Sequence, residues 1–587
     1  AIASTEKPWF TDVSETLKHS HHDEAFDDYL RQPLLPFKLS QLGPGVAWFD
    51  LDGDGWDDLI IGSGQGGAMA LFQNDQKGGF NRFAHPPFDH AATRDQTGIV
   101  AWKKASGETA VLAGSANYED GLVTGSSVRQ FNILVGTIDD SLSQQTSSAG
   151  PLALADIDGD GDLDLFVGGA VIPGRWPEPA DSKIFRSDGN KFQLDEPNSG
   201  VLKNVGLVSG AVWSDLDGDG FPELILACRW GPIRVFKNQA GNLHEMTAEL
   251  GLDQFTGWWN SVTTGDLDGD GKLDIIAGNW GLNSGYRASA ENPIHVFYGD
   301  LLDRGTVDLI ETEYDSSGTL VPLRPLDILG VAIPPLRERF TTHRAFGQAT
   351  VSDLLKPYAP RFRELKVTTL ASMVFLNRPG HFKPIEVPAE AQFAPVFGIN
   401  VADFDGDGNE DIFLGQNFFD VQPELSRCDA GRGLLLFNDG TGKLIAIPGE
   451  KSGIKIYGEQ RGSACSDFNH DGRIDLAVTQ NNGPTKLYVN TMAAPGLRVR
   501  LNGPVGNRFG IGATLRLISQ QRSGPIHEAH AGSGYWSLDS PIQVLANSPP
   551  GTEIRVQWPG GNTKTSAIPA GAQEIEIDSS GKIRLVR

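Results

Sequence analysis

Six short acidic stretches hold the residues whose types and spacing could do chemistry. They read DLDGDGWDD at Asp50 to Asp58, DIDGDGDLD at Asp156 to Asp164, DLDGDGFPE at Asp215 to Glu223, DLDGDGKLD at Asp266 to Asp274, DFDGDGNED at Asp403 to Asp411 and DFNHDGRID at Asp467 to Asp475. Each puts oxygen-bearing side chains at positions 1, 3, 5 and 9, glycine at 6 and a residue of no fixed type at 7. Short carboxylates converging from a tight turn, one backbone carbonyl and a glycine at the sharp bend are what a hard cation asks for. The expected donors of the first loop are Asp50, Asp52, Asp54 and Asp58 with the carbonyl of Trp56. Those of the second are Asp156, Asp158, Asp160 and Asp164 with Asp162, and of the third Asp215, Asp217, Asp219 and Glu223 with Phe221. The fourth offers Asp266, Asp268, Asp270 and Asp274 with Lys272, the fifth Asp403, Asp405, Asp407 and Asp411 with Asn409, and the sixth Asp467, Asn469, Asp471 and Asp475 with Arg473. Carboxylates this crowded repel strongly without a counter-ion. Calcium is the expected occupant of these six structural sites, because magnesium holds its waters and demands stricter octahedral geometry.

Short apolar runs flank every loop, GVAWF or PLALA before and LIIG, LFVGG or LILA after, so each reads as strand, acidic turn, strand. Two further strand-like runs follow, such as AMALFQN and FNRFA after the first loop. Four strands per repeat, at a period of roughly 50 to 60 residues, predict propeller blades. TGIVAWK, KASGET, AVLAGSAN and RQFNILVG fill one more blade without an acidic turn, which makes seven. The last repeat runs out after TKLYVN, and WFTDVSETL near the N-terminus resembles the fourth-strand segment LHEMTAELGL, so the N-terminal segment, residues 1–44, is expected to close the ring.

The predicted fold is therefore all-β, a seven-bladed propeller over 45–495, with a small helical insertion in the fifth blade at about 300–368. An eighth blade is the alternative for that region, where DLLDRGTVD from Asp300 to Asp308 is a decayed loop expected to hold no metal. Residues 496–587 lack acidic turns and read as a separate, sandwich-like β domain.

The formal net charge of −25 stays acidic even with a divalent ion in every loop, which argues against nucleic acid as partner. No apolar run is long enough for a transmembrane segment. Cys228, Cys428 and Cys465 form neither a disulfide framework nor a zinc pattern. The opening AIASTEKPW lacks methionine, as a processed or truncated product would, and dependable calcium filling points to a secreted, periplasmic or cell-surface protein; the lack of an Asn-x-Ser/Thr sequon favours a bacterial one.

On these motifs the chain resembles the FG-GAP/VCBS repeat group, the calcium-loop propellers that include the integrin α-subunit head. GIGATLRL, AGSGYWS and VQWPGG resemble the ASPIC/UnbV module, and the pairing of both is similar to cartilage acidic protein 1 and its bacterial relatives. The resemblance implies acidic turns on a lower face and a binding surface on the opposite face. There Trp230, Trp258, Trp259, Asn279, Trp280, Asn417, Glu459, Arg461 and Asn481 would gather around one funnel suited to a sugar. The competing reading has the tryptophans packing between blades and the amides capping turns.

The leading expectation is a protein- or polysaccharide-binding module for adhesion or recognition. One alternative is a saccharide lyase or dehydratase using Glu459 with Arg461 or His343 with Arg344; another is a structural subunit of a surface assembly. No pair has diagnostic spacing, so no catalytic residue is assigned. The HSHHDE stretch, His19 to Glu24, reads as a helix entry or a transition-metal site, and Gly532, Gly534, Tyr535 and Trp536 as a hairpin or a binding tip.

Overall fold

The computed structural model describes residues 7–587 apart from residue 141, residues 520–522 and residue 548. The chain is mostly β, arranged in antiparallel sheets. Each acidic stretch is the hairpin turn between two strands, with the residue before the loop paired to its ninth residue: Phe49 with Asp58, Ala155 with Asp164, Ser214 with Glu223, Gly265 with Asp274, Ala402 with Asp411 and Ser466 with Asp475. The flanking strands are continuous apolar runs because both of their faces are covered; Val46–Phe49 and Asp58–Ile61 are buried throughout.

Among the described residues, seven sheets of this kind follow one another in chain order. Their first strands are Val46–Phe49, Gln96–Lys103, Ser148–Ala155, Leu207–Ser214, Ser261–Gly265, Val396–Ala402 and Gln460–Ser466. Each lies against the next, and Gln460–Ser466 lies against Val46–Phe49, so the succession returns to its start by packing while no hydrogen-bonded sheet closes on itself. Phe10–Asp12 pairs antiparallel with Lys486–Asn490 and supplies the outer strand of the last sheet.

The insertion differs from the helical segment expected. The chain leaves one sheet after Asp274–Gly278 and rejoins it at Met373–Arg378, and the excursion carries its own four-stranded sheet, begun by Ile294–Gly299, as well as four short helices between Leu326 and Leu355. This extra sheet stands outside the succession, since Ser261–Gly265 packs directly on Val396–Ala402. Ile294, Val296 and Tyr298 of its first strand share one buried core with Leu326, Leu329 and Leu354 of the helices, which holds this sheet and the helices together.

Residues 497–585 form two four-stranded sheets around Val499, Leu515, Ile554, Val556, Trp558 and Ile575. From this domain, residues 529–539 run into the axis on which the seven first strands converge. Leu154 N donates to Ala531 O at 2.7 Å, Gly534 N to Val262 O at 2.9 Å and Trp536 Nε1 to Ser209 O at 3.1 Å, while Ser537 and Leu538 pair in parallel with Val46 and Ala47. Ile99 N donates to Trp536 O at 3.4 Å, and Gly462 and Ile399 close the remaining sides against Ser537 and Gly534. All seven first strands thus meet this one hairpin. The three cysteines are free and buried, Cys228 and Cys465 on strands of different sheets and Cys428 at an isolated bridge to Phe418.

Two glycines allow the fit. Gly532 has φ +103° and a Cβ there would stand 2.2 Å from Leu152 O; Gly534 has φ +60° and a Cβ would stand 2.6 Å from Ile399 O. Gly532→Ala is therefore expected to cost roughly 2–4 kcal/mol, combining left-handed strain with displacement of backbone. Thermal unfolding of the full chain should show the loss, and an unchanged melting temperature would contradict the axial packing.

Candidate functional site

The acidic turns repeat one hydrogen-bond scheme. Asp50 accepts from Gly53 N at 2.8 Å, Asp54 N at 3.1 Å and Gly55 N at 2.9 Å, and Asp58 accepts from Leu51 N and Asn74 N. Asp156, Asp215, Asp266, Asp403 and Asp467 likewise each accept from the glycine amide at position 6. Backbone amides thus fix the first carboxylate of every turn and the ninth of the first turn. Carboxylate oxygens converge within 4.8 Å of one another in the groups Asp50–Asp52–Asp54, Asp156–Asp158–Asp160, Asp215–Asp217–Glu223 and Asp266–Asp268–Asp274. Asp215 Oδ1, Asp266 Oδ1, Asp268 Oδ1 and Asp475 Oδ2 are buried without a hydrogen-bond partner. An oxygen-only, carboxylate-rich donor set with orphaned oxygens fits a hard divalent cation. Trp56, Asp162, Phe221, Lys272, Asn409 and Arg473 occupy position 7, two residues before the second strand begins.

Burial, reinforced by neighbouring carboxylates, pushes Asp58 and Asp274 up to about 8 and Asp411 to about 9. The same causes raise Asp156, Asp266 and Asp403 to about 6. These groups are under electrostatic tension that a cation would relieve.

The C-terminal domain rests on this acidic face, a contact the sequence does not announce. Arg500 donates to Gly55 O at 2.8 Å, Gln557 to Gly218 O at 2.9 Å, Gly560 N to Gly220 O at 2.8 Å and Ile526 N to Asp266 Oδ2 at 2.9 Å. Arg498, buried, pairs with Asp467 and with Glu574. Gly506 packs on Asp162 and Ala546 on Gly408, so all six turns touch the domain.

The residues expected to line a sugar-binding funnel do come together on the opposite face, with one exception, but they are covered. Phe37 of the N-terminal segment stacks on Trp280 at 5.1 Å and meets Trp176, Trp258 and Phe418 edge-on. Trp230 touches Trp258, and Trp280 is 3% exposed. Trp259 turns away into a separate core, donating to Phe255 O. Arg461 is fully buried over Phe397 and Phe418 and donates to Asn417 O, Gln41 O and Glu459 Oε1. Asn481 donates to Gln41 Oε1 and Glu459 Oε2; Asn417 and Asn279 donate to main-chain carbonyls. The structure corrects the open funnel to a filled core: the aromatic rings that suit a sugar also suit one another, and residues 33–44 occupy the space. Glu459 and Arg461 accordingly form a sealed structural ion pair.

The other candidates are also placed. His343 is exposed on a short helix beside Asp327. His19 and His21 bond to Thr485 and to the amides of Gly64 and Asn482, whereas Asp23 joins Asp95 and Glu119. Gly532, Gly534, Tyr535 and Trp536 form the axial hairpin, with Tyr535 Oη donating to Leu42 O at 2.6 Å, and present no exposed tip. No described helix is long and apolar enough to cross a membrane.

Comparison with known families finds the FG-GAP-like repeat at residues 215–277, spanning the third and fourth acidic turns, and the ASPIC and UnbV domain at residues 503–584. The chain joins an FG-GAP-like repeat to an ASPIC/UnbV domain. No curated protein matches it. Solved structures similar to the chain include one from a complex of BBS1N with ARL6DN, with TM-score 0.38 and 11% identity, covering 83% of this chain and 99% of that one. Another is an Agrocybe aegerita lectin that recognises non-reducing terminal N-acetylglucosamine, with TM-score 0.29 and 15% identity, covering 75% and 100%.

The raised carboxyls give a signed expectation. In the folded chain they keep protons at pH values where unfolded carboxylates, ionising near 4, have lost them. The folded state then binds more protons, so without a cation stability falls as pH rises from about 6 to about 9. Chelated protein should melt at a lower temperature at pH 9 than at pH 6, with a smaller difference once a divalent cation is added; equal pH slopes in calorimetry would contradict this account.

Proposed function

We propose that this chain is an extracytoplasmic, calcium-stabilised, seven-bladed propeller that acts as a recognition module for a protein or glycan. The single observation that carries the reading is the repeated acidic turn, whose converging, partly orphaned carboxylate oxygens are of the kind calcium takes. Calcium plays a structural part there. It neutralises the turns that end the first strands, and binding the folded turn far better than the unfolded chain stabilises by mass action. The family's association with calcium supports the same assignment.

With the axis filled from both ends, recognition falls to the rim. A cleft of about 610 Å³ there is lined by Leu282, Asn283, Glu386 and Phe393, and an adjoining one of about 580 Å³ adds Arg287, Glu313 and Tyr314. Leu282 and Phe393 are 47% and 44% exposed, apolar anchors beside amide and charged groups. The saccharide-lyase reading finds no support in Glu459 and Arg461, whose polar atoms are engaged within the core.

Removing calcium should lower the melting temperature sharply, since each site at hundredfold saturation contributes about 2.7 kcal/mol. A melting curve indifferent to chelation would refute the calcium assignment. Recognition is tested by binding to arrays of polysaccharides and of extracellular proteins with calcium present, using Leu282→Asp and Phe393→Asp. Saturable binding lost in both variants supports the rim; binding retained in both places recognition elsewhere.

A further inference from the structure

The six acidic turns are not equivalent, because some already contain a cation of the chain's own. In the third, Lys237 Nζ lies 2.6 Å from Asp217 Oδ2, 2.6 Å from Asp219 Oδ2 and 2.9 Å from Glu223 Oε1. The ammonium is thus bound by the donors at positions 3, 5 and 9. Lys237 stands on Ile233–Gln239, where Leu224 faces Phe236; one step along this register sets it opposite Glu223.

The corresponding position in the other turns shows how particular this is. Across from the ninth residue stand Gln73, Arg186, Leu376, Phe437 and Val489. Arg186 reaches Asp158 at 2.9 Å and Asp164 at 3.2 Å, but shares its guanidinium with Asp195 at 2.9 Å. In the fourth turn, Arg378 pairs with Asp268 and Asp270 from a different register position. At its carboxylates the first turn meets neutral groups, Gln73 at Asp52 and Gln76 at Asp54, while Arg500 donates to the Gly55 carbonyl; in the fifth, Phe437 stands across from the ninth residue. Even the decayed turn follows the logic of self-neutralisation, since Arg304, at its fifth position, pairs with Asp308 at its ninth.

A lysine ammonium is a compact point charge with three donors; here it donates to Asp217 and Asp219 and stands within ion-pair distance of Glu223. A divalent ion entering the third turn must expel that charge or share the turn with it at close range. Charge count and rigidity set calcium affinity in such loops, so the resident ammonium weakens the third site relative to the first and fifth. We propose that Lys237 is the built-in cation of the turn at Asp215 to Glu223, which therefore folds without calcium, whereas the turns at Asp50 to Asp58 and Asp403 to Asp411 require the ion. This rests on the calcium assignment of the other turns. It makes Lys237 a residue that decides where calcium goes.

Equilibrium dialysis of the full chain with elemental analysis tests it. Lys237→Met is expected to gain about one bound calcium per chain, and Gln73→Lys, which carries the ammonium into the first turn, to lose about one. Asp405→Asn should lower the wild-type count, while Asp217→Asn leaves it unchanged. The inference is overturned if Lys237→Met alters neither count nor affinity, or if Asp217→Asn and Asp405→Asn lower the count equally. Should Lys237→Met not fold, the other three variants decide between these outcomes. A wild-type chain that binds no calcium at any turn would overturn the calcium assignment itself.

Discussion

Buried backbone groups must find partners, and the axis where the seven first strands converge is where this constraint presses hardest. The amides of Leu154 and Ile99 and the main chain of Val262 point at space that no neighbouring sheet can fill, and residues 531–538 satisfy them. The hairpin enters from the acidic face and reaches across until Tyr535 meets Leu42 of the segment that covers the other side. The C-terminal domain is consequently no appendage. It stands where its hairpin must enter, and its loops become the roof of the acidic turns.

The acidic turns were legible because their chemistry is local. The carboxylates of each turn lie within nine residues, glycine stands at the bend, and apolar runs flank a turn between buried strands, so spacing alone exposes them. The C-terminal domain was legible for a similar reason, as alternating strands with no acidic turns. The outer strand supplied by Phe10–Asp12 could be suspected from its likeness to LHEMTAELGL, yet its pairing is a matter of register that only coordinates show.

The filling of the axis was not legible. Trp230, Trp258 and Trp280 have the same composition whether they face a sugar or Phe37, and what distinguishes the cases is a segment far away in sequence. AGSGYWS likewise has the look of a surface hairpin, with glycines that permit either a tip or a tight passage. Lys237 illustrates the same limit at smaller scale: VFKN is an ordinary strand until register sets its lysine against a carboxylate.

The passage of residues 529–538 through the axis also bears on how such a molecule comes into being. These residues follow the seven sheets in chain order, so a ribosome delivers the axle after the wheel. Until it arrives, the inner strands have no partners along the hub, and the nascent chain presents apolar, hydrogen-bond-hungry edges for most of its synthesis. Completion therefore comes late in synthesis and joins the C-terminal domain to the N-terminal segment, since Tyr535 closes on Leu42. Quality control that senses exposed hubs would discriminate sharply between chains that have made this closure and chains that have not.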